Sequence, residues 1–132
     1  VESFLSKSKF FKEKINKAKL IREYDKKLPY ITGINPFKNG SEIVDSSLKE
    51  LRITFSKEME SGNYSMNYSK KGKDYFPIKK VIGFENNNQT FVVAIDLQPN
   101  KEYEFIITNR SFKSKDGYPL KEEEYLVKFK TK

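Results

Sequence analysis

Apolar and polar residues alternate at a spacing of two through the middle and the last third of the chain. Leu51, Ile53 and Phe55 begin this pattern, with charged or hydroxyl residues between them. The same alternation recurs in three later stretches, 90–97, 102–108 and 124–131. A strand with such a row buries one face and exposes the other, as strands of antiparallel sheets do. The pattern therefore predicts that the ambiguous stretch 48–60 is a strand followed by a turn and not an amphipathic helix.

Turn residues separate these rows and indicate how many strands the chain holds. Asn86, Pro99 and Gly117 stand in the turn-like segments that precede the three later rows. Further strands are predicted at 30–34, 64–68 and 75–84. About seven short strands within roughly 100 residues predict two antiparallel sheets packed face to face.

Residues 1–28 follow a different pattern, with apolar residues spaced by three and four. This face contains Phe4, Phe10, Phe11, Ile15, Ala18, Ile21 and Tyr24. Such spacing predicts an amphipathic α-helix, and Pro29 ends it because the residue before a proline is driven out of helical geometry. We therefore expect two parts: residues 1–29 as a helix or linker that forms the tail of a preceding domain, and residues 30–132 as the sandwich.

The predicted helix carries much of the positive charge of the chain. Residues 1–28 hold nine Lys or Arg against four acids, a net charge of +5 out of a total of +8. A basic amphipathic helix binds anionic membranes or nucleic acid in many proteins. The favoured alternative is that its apolar face packs on a neighbouring domain while the lysines stay in water, because a lone helix of this length is only marginally stable.

Composition removes several classes of chemistry. The chain has no cysteine and no histidine, which excludes disulfides, thiol nucleophiles, His-based triads and the usual zinc ligand sets. Two S-x-x-K matches, Ser6/Lys9 and Ser46/Lys49, lack the companion motifs that such enzymes need. We therefore predict no catalytic residue, no cofactor and no metal site. No apolar run approaches the ~20 residues that span a bilayer, so no transmembrane segment is predicted.

The stretch 63–80 is the most promising candidate for a binding surface, because it interleaves aromatic and basic side chains. The candidate ligand contacts are Tyr64, Tyr68, Lys71, Lys73 and Tyr75. Tyrosine rings stack on sugars or bases while lysines pair with anions, so a glycan or a polyanion is a possible ligand. The competing interpretation is that these tyrosines are half-buried strand residues beside a hairpin tip. Nucleic acid is disfavoured, because the positive charge is interspersed with acids.

The order of several short motifs resembles that of a known family. The first half contains Pro36, Asn39-Gly40, Val44-Asp45, Leu48 and the run LRITFSKEM at 51–59. The second half contains Thr90-Phe91, Leu97, Pro99-Asn100-Lys101, Tyr103, Asp116-Gly117, Pro119-Leu120 and the closing Phe129-Lys130-Thr131. In order and spacing this series is similar to bacterial Ig-like domains of the S-layer type, over about residues 30–132.

This resemblance implies an all-β fold, an Ig-like Greek-key β-sandwich of about seven strands. The predicted N-terminal amphipathic α-helix precedes this domain and lies outside the resemblance. It implies a non-catalytic spacer, docking or adhesion module of a larger exported bacterial protein, located extracellularly or in the cell envelope. The implied partner is a neighbouring domain of the same chain or another envelope protein. Two alternatives stay open: a glycan- or polyanion-binding module that uses 63–80, and an accessory domain of an upstream hydrolase. Since fold does not fix function, these are expectations by analogy.

Overall fold

A computed structural model describes residues 16–132 of the protein. Residues 16–27 are helical, as predicted, and this helix is labelled α1. The remaining part of the predicted helix, residues 1–15, lies outside the described residues. Among the described residues, no helix has the length and apolar content needed to cross a membrane.

Seven strands and one turn of 3-10 helix follow α1. The 3-10 turn spans Lys73–Tyr75, between the third and fourth strands. The strands are β1 (Ile31–Asn35), β2 (Glu50–Phe55), β3 (Asn67–Tyr68), β4 (Ile78–Glu85), β5 (Thr90–Ile95), β6 (Glu102–Thr108) and β7 (Glu124–Lys130).

The strands form two antiparallel sheets, with orders β1-β2-β5-β4 and β3-β6-β7. If the strands are lettered A to G along the chain, this is the ABED/CFG arrangement of a constant-type immunoglobulin sandwich. The predicted seven-stranded Ig-like sandwich is confirmed. The stretch 48–60 contains strand β2 and then turns, so the strand interpretation of that stretch was right.

Two of the weaker strand predictions differ from the structure in extent. Strand β3 contains only Asn67 and Tyr68 of the predicted 64–68, and it pairs with Ile106 and Phe105. The predicted strand 75–84 begins instead at Ile78, because the chain first makes the 3-10 turn. Local alternation indicated strands in both places. The 3-10 turn accounts for the later start of β4, whereas β3 is short because its pairing with β6 begins only at Asn67.

The core lies between the two sheets and is dominated by phenylalanine. Phe91 and Phe112 meet edge to face with ring centroids 5.2 Å apart, and Phe55 packs on Phe112 at 4.9 Å. All three are buried, as are Met59 and Leu120 from the connecting loops. Aromatic pairs of this geometry add stabilisation beyond the area they bury, and here they fill a core that has neither tryptophan nor a disulfide.

A tyrosine fixes the connection from β5 to β6. Tyr103, at the start of β6, is buried, and its hydroxyl accepts a hydrogen bond from the backbone N–H of Gln98 at 2.7 Å. Its ring stacks on Phe129 of β7 with centroids 5.4 Å apart. A tyrosine at the start of strand F that bonds back to the preceding loop is the tyrosine corner of Ig-type sandwiches.

Residues 39–44, called the edge segment below, lie along the free edge of β7. The backbone of Val44 and Thr131 forms an isolated parallel bridge. The side chain of Asn39 bonds to the backbone of Leu126 and Lys128 at 2.8 and 2.9 Å. Strand A of the sandwich is therefore divided, with β1 in one sheet and the edge segment beside the other.

Candidate functional site

A groove lies on the outer side of the three-stranded sheet, between the 3-10 turn, strands β6 and β7, and the edge segment. Its volume is about 170 Å³. Its lining is Gly40, Ser41, Glu42, Lys71, Tyr75, Glu102, Tyr103, Glu104, Lys128, Phe129 and Lys130. The groove therefore combines residues from four separate parts of the chain, and we call it the loop groove.

The loop that precedes the 3-10 turn positions Lys71 and Tyr75 in the loop groove. Gly72 has a φ of 84°, a conformation that glycine adopts easily, and its N–H bonds to the carbonyl of Ser69 at 3.0 Å. The tight turn brings the Lys71 ammonium 5.2 Å from the centroid of the Tyr75 ring. The same ammonium lies 3.5 Å from a carboxylate oxygen of Glu102 on β6. A half-buried tyrosine ring is thus held beside a paired charge.

The charges that line the loop groove are balanced. The strand register places Glu102 opposite Lys130 and Glu104 opposite Lys128. Together with Lys71 and Glu42, the lining holds three lysines and three glutamates. Because opposite charges alternate here, the groove has no continuous positive surface for a polyanion. Its paired donors and acceptors around a tyrosine suit a polar, uncharged ligand such as a saccharide.

A second, larger depression adjoins the loop groove and shares Glu104 with it. Its volume is about 510 Å³, and it is lined by Tyr68, Ser69, Lys70, Glu104, Ile106, Glu124 and Leu126. Ile106 and Leu126 face each other across β6 and β7, and Leu126 is 42% exposed. Tyr68 packs edge to face on Phe76 at 4.8 Å, yet remains 53% exposed. The two depressions form one continuous surface with an apolar end and a charged end.

Three of the five predicted ligand contacts meet on this surface. Tyr68 lines the second depression, and Lys71 and Tyr75 line the loop groove. Tyr64 lies elsewhere, with its ring 5.1 Å from that of Phe91 in the other sheet. Lys73 begins the 3-10 turn with its side chain exposed and lines neither depression. The binding role of all five stays a prediction.

Sequence reasoning missed the strand residues of the loop groove. Glu102 and Glu104 were visible as the outward positions of the row that contains Tyr103, and Lys128 and Lys130 as those of the last row. What the sequence did not provide was the register that sets each glutamate opposite a lysine. It also did not show that the 69–76 loop folds over these strands.

A second cluster of polar contacts ties the end of α1 to the sandwich. The Lys57 ammonium, just after β2, donates to the carbonyl oxygen of Lys27 at 3.0 Å and to Asp116 Oδ2 at 2.8 Å. The bond from Lys57, followed by one from the Ser114 hydroxyl at 2.6 Å, lowers the pKa of Asp116 below its ordinary value. A cation beside the last carbonyls of a helix is also favourable for the helix dipole.

Further contacts to the loop between β6 and β7 fix the same junction. The rings of Tyr24 and Tyr118 meet edge to face at 5.6 Å, and Asp25 pairs with Lys121 at 3.2 Å. The backbone N–H of Lys121 bonds to the carbonyl of Pro29 at 2.8 Å. Farther up α1, by contrast, Leu20 and Ile21 are 65% and 64% exposed. The end of the helix is therefore anchored, while the apolar face of its preceding turns is open.

The strand order, the tyrosine corner and the split first strand together define an Ig-like sandwich. A family model described as a bacterial Ig-like domain matches residues 25–131, and the chain belongs to this family. Such domains are typically non-catalytic modules of larger proteins, usually surface or secreted ones. A search of curated proteins returned no match. The boundary that the sequence predicted between residues 29 and 30 stays a prediction.

Within residues 16–132, no cluster of acidic side chains has the arrangement of a metal site. Glu122, Glu123 and Glu124 are consecutive but make separate contacts. Glu122 Oε1 accepts from the backbone N–H of Ile31 at 3.1 Å, while Glu124 lies in β7 opposite Thr108. Because Glu122 is turned toward Ile31 while Glu124 is exposed on β7, the run does not converge on one point.

Proposed function

We propose that the chain acts as a spacer module of an exported bacterial protein, setting both the distance and the direction between its neighbours. The observation that carries this proposal is the position of the two ends of the sandwich. Tyr30 enters beside Ser56, whose backbone N–H bonds to the Tyr30 carbonyl at 2.8 Å. Lys132 leaves at the opposite end, where its carbonyl accepts from Asn100 at 2.8 Å. Chain that enters at one end and leaves at the other extends whatever it connects.

The span of the module follows from its strands. Strand β6 has seven residues, and at the rise of an antiparallel strand it is about 23 Å long. The contacts of Lys57 with Lys27 and Asp116 hold α1 against the end of the sandwich, so the direction of the incoming chain is set as well. A flexible linker sets a distance between two domains but no direction. This junction also sets the direction of the incoming chain.

A domain exchange in the surface protein that carries this module tests the proposal. One variant replaces residues 30–132 with an unrelated β-sandwich of equal span, and the other with a Gly/Ser linker of equal residue number. A spacer tolerates the sandwich, while the flexible linker reduces the exposure of the distal domain to an antibody. Equal loss in both variants would show that the surface of this particular domain is needed, and would reject a pure spacer role.

A saccharide-binding role is the second candidate, supported by the gathering of Tyr68, Lys71 and Tyr75 on one surface. The balanced charges of the loop groove favour a neutral saccharide over a polyanion. Titration with neutral oligosaccharides, followed by amide chemical shifts, should perturb the residues around Tyr75 and Glu102. Tyr75→Ala should abolish the perturbation, and Tyr64→Ala, which lies outside the groove, should not. Binding to heparin that disappears above about 0.3 M salt would indicate only loose charge attraction.

A further inference from the structure

We infer that the edge segment and β7 form a mechanical clamp, which lets the module bear tension between its two ends. This function rests on the proposed spacer role, since tension reaches a spacer through its ends. The inference concerns the strength of one strand pair when the chain is pulled, a property that a spacer does not need in order to set distance.

Six hydrogen bonds connect the edge segment to β7 and the two residues after it. Two come from the Asn39 side chain to Leu126 and Lys128, and four join backbone groups at 2.8–3.0 Å. The backbone bonds run from Gly40 to Lys128, from Lys130 to Ser41, from Val44 to Lys130 and from Lys132 to Val44. The two segments run in the same direction.

The direction of pulling determines how these bonds are loaded. Tension at Tyr30 loads β1 and its bonds to β2 first. Once these bonds yield, the tension draws the edge segment toward the end where the chain enters, and tension at Lys132 draws β7 toward the opposite end. The two parallel segments are therefore forced to slide past each other, and all six bonds are stretched together. Had both points of tension been at one end of the pair, the bonds would break one after another.

The surroundings shield one end of the clamp, at Val44, from water, while the Asn39 bonds at the other end are exposed. Val44 and Thr131 are buried, and Phe37 packs on Phe129 with ring centroids 4.5 Å apart. Thr131 also anchors the end of β7 to the preceding loop, because its hydroxyl accepts from the N–H of Lys101 at 2.9 Å and donates to the carbonyl of Gln98. Hydrogen bonds shielded from solvent lack the competing partner that helps them break.

Single-molecule pulling in two directions tests the clamp. The chain has no cysteine, so introduced cysteines give unique attachment points. Tyr30→Cys with Lys132→Cys loads the pair along its length, while Lys49→Cys with Lys132→Cys pulls from one end and peels the same bonds in turn. We expect a several-fold higher unfolding force in the first geometry. Equal forces in the two directions would overturn the inference.

Substitutions in the clamp separate mechanical strength from ordinary stability. Asn39→Ala with Lys130→Pro removes three of the six bonds, since the Lys130 N–H faces the edge segment and not β6. The force along the pair should fall by roughly half if the bonds share the load. The control is Ile53→Val in the core, compared at equal loss of stability to denaturant; it should change the force little. An equal drop in this control would also overturn the clamp.

Two features of the design keep the result interpretable. If the double variant does not fold, Asn39→Ala alone removes two bonds at an exposed position and gives the same comparison with the core control. The spacer role is tested separately, by the domain exchange. If the unrelated sandwich cannot replace residues 30–132 but the force still depends on direction, the spacer role is refuted and the clamp is kept. If the unrelated sandwich can replace them but the force does not depend on direction, the clamp alone is refuted.

Discussion

The two sheets of the sandwich protect their outer edges in different ways. In the three-stranded sheet, the edge segment covers β7 with six hydrogen bonds. In the four-stranded sheet, no strand of the described chain lies beside the outer edge of β4. That strand instead carries exposed Lys79 and Lys80 and two register shifts. Charge and bulges discourage the pairing that a bare edge invites. The covered edge should therefore contribute to stability and the open edge to solubility.

The largest expected effect comes from the covered side of this comparison. Phe129 of β7 is 4% exposed and contacts both Tyr103 and Phe37. Replacing it with alanine removes both ring contacts and leaves a cavity, so Phe129→Ala should reduce the free energy of unfolding by about 3–5 kcal/mol. Urea denaturation followed by tyrosine fluorescence measures the change.

The control for this prediction is an apolar residue on the open edge strand. Ile82 of β4 is 51% exposed, and Ile82→Ala should change the free energy of unfolding by no more than about 0.5 kcal/mol. If the two truncations cost the same, the two edges do not differ in their contribution to stability, and the comparison fails.

A smaller effect is expected from the side chain that covers the middle of β7. Asn39→Ala leaves the Leu126 carbonyl and the Lys128 N–H without their partner. We expect a loss of about 1–2 kcal/mol, as for two hydrogen bonds near the surface. The matched control is Asn63→Ala, an exposed asparagine away from β7, which should leave the urea midpoint unchanged. Loss of protection of the Lys128 amide in hydrogen exchange would locate the effect.

The edge segment also shows why local patterns predicted only part of this fold. Strands β2, β5, β6 and β7 were predicted because their alternating rows bury one face, and that property is local. Asn39, Gly40 and Ser41 are turn residues by composition, so nothing in their spacing indicated a strand-like segment. Their role depends on β7, which lies more than eighty residues away along the chain. A side chain that supplies hydrogen bonds in place of backbone leaves no periodic signal.

The candidate binding surface, like the fold, was predicted only in part from the sequence. Tyr68, Lys71 and Tyr75 were identified because aromatic and basic residues alternate there, and the structure brings them to one surface. Tyr64 had the same local signal, but the strand that was expected to carry it contains only Asn67 and Tyr68. Its ring packs near Phe91 instead. Composition therefore indicated the region, while the short β3 and the 3-10 turn decided which side chains meet.

Removing charge from the open edge should increase self-association of the protein and leave its free energy of unfolding unchanged. Lys79→Thr with Lys80→Thr keeps residues that favour strands but removes two charges from β4. We expect self-association that rises with concentration in sedimentation velocity, because an uncharged edge pairs more readily with a second copy. Lys70→Thr with Lys73→Thr removes the same charge from the loop and should leave the sedimentation behaviour of the protein unchanged. Association of both variants would point to net charge and not to the edge.

The smallest effect is expected at the turn that ends the covering segment. Asp45 follows Val44, and its carboxylate accepts bonds from the Ser47 N–H at 2.9 Å and the Ser47 hydroxyl at 2.7 Å, which lower its pKa below the ordinary value. The carboxylate thus stabilises the fold above its unfolded-state pKa, and this contribution disappears as the pH falls through the folded-state pKa. The urea midpoint should drop slightly more for the unmodified chain than for Asp45→Asn between about pH 5 and pH 3. Parallel curves would mean that the turn contributes nothing that titrates, and that the cover of β7 depends on the six hydrogen bonds of the edge segment.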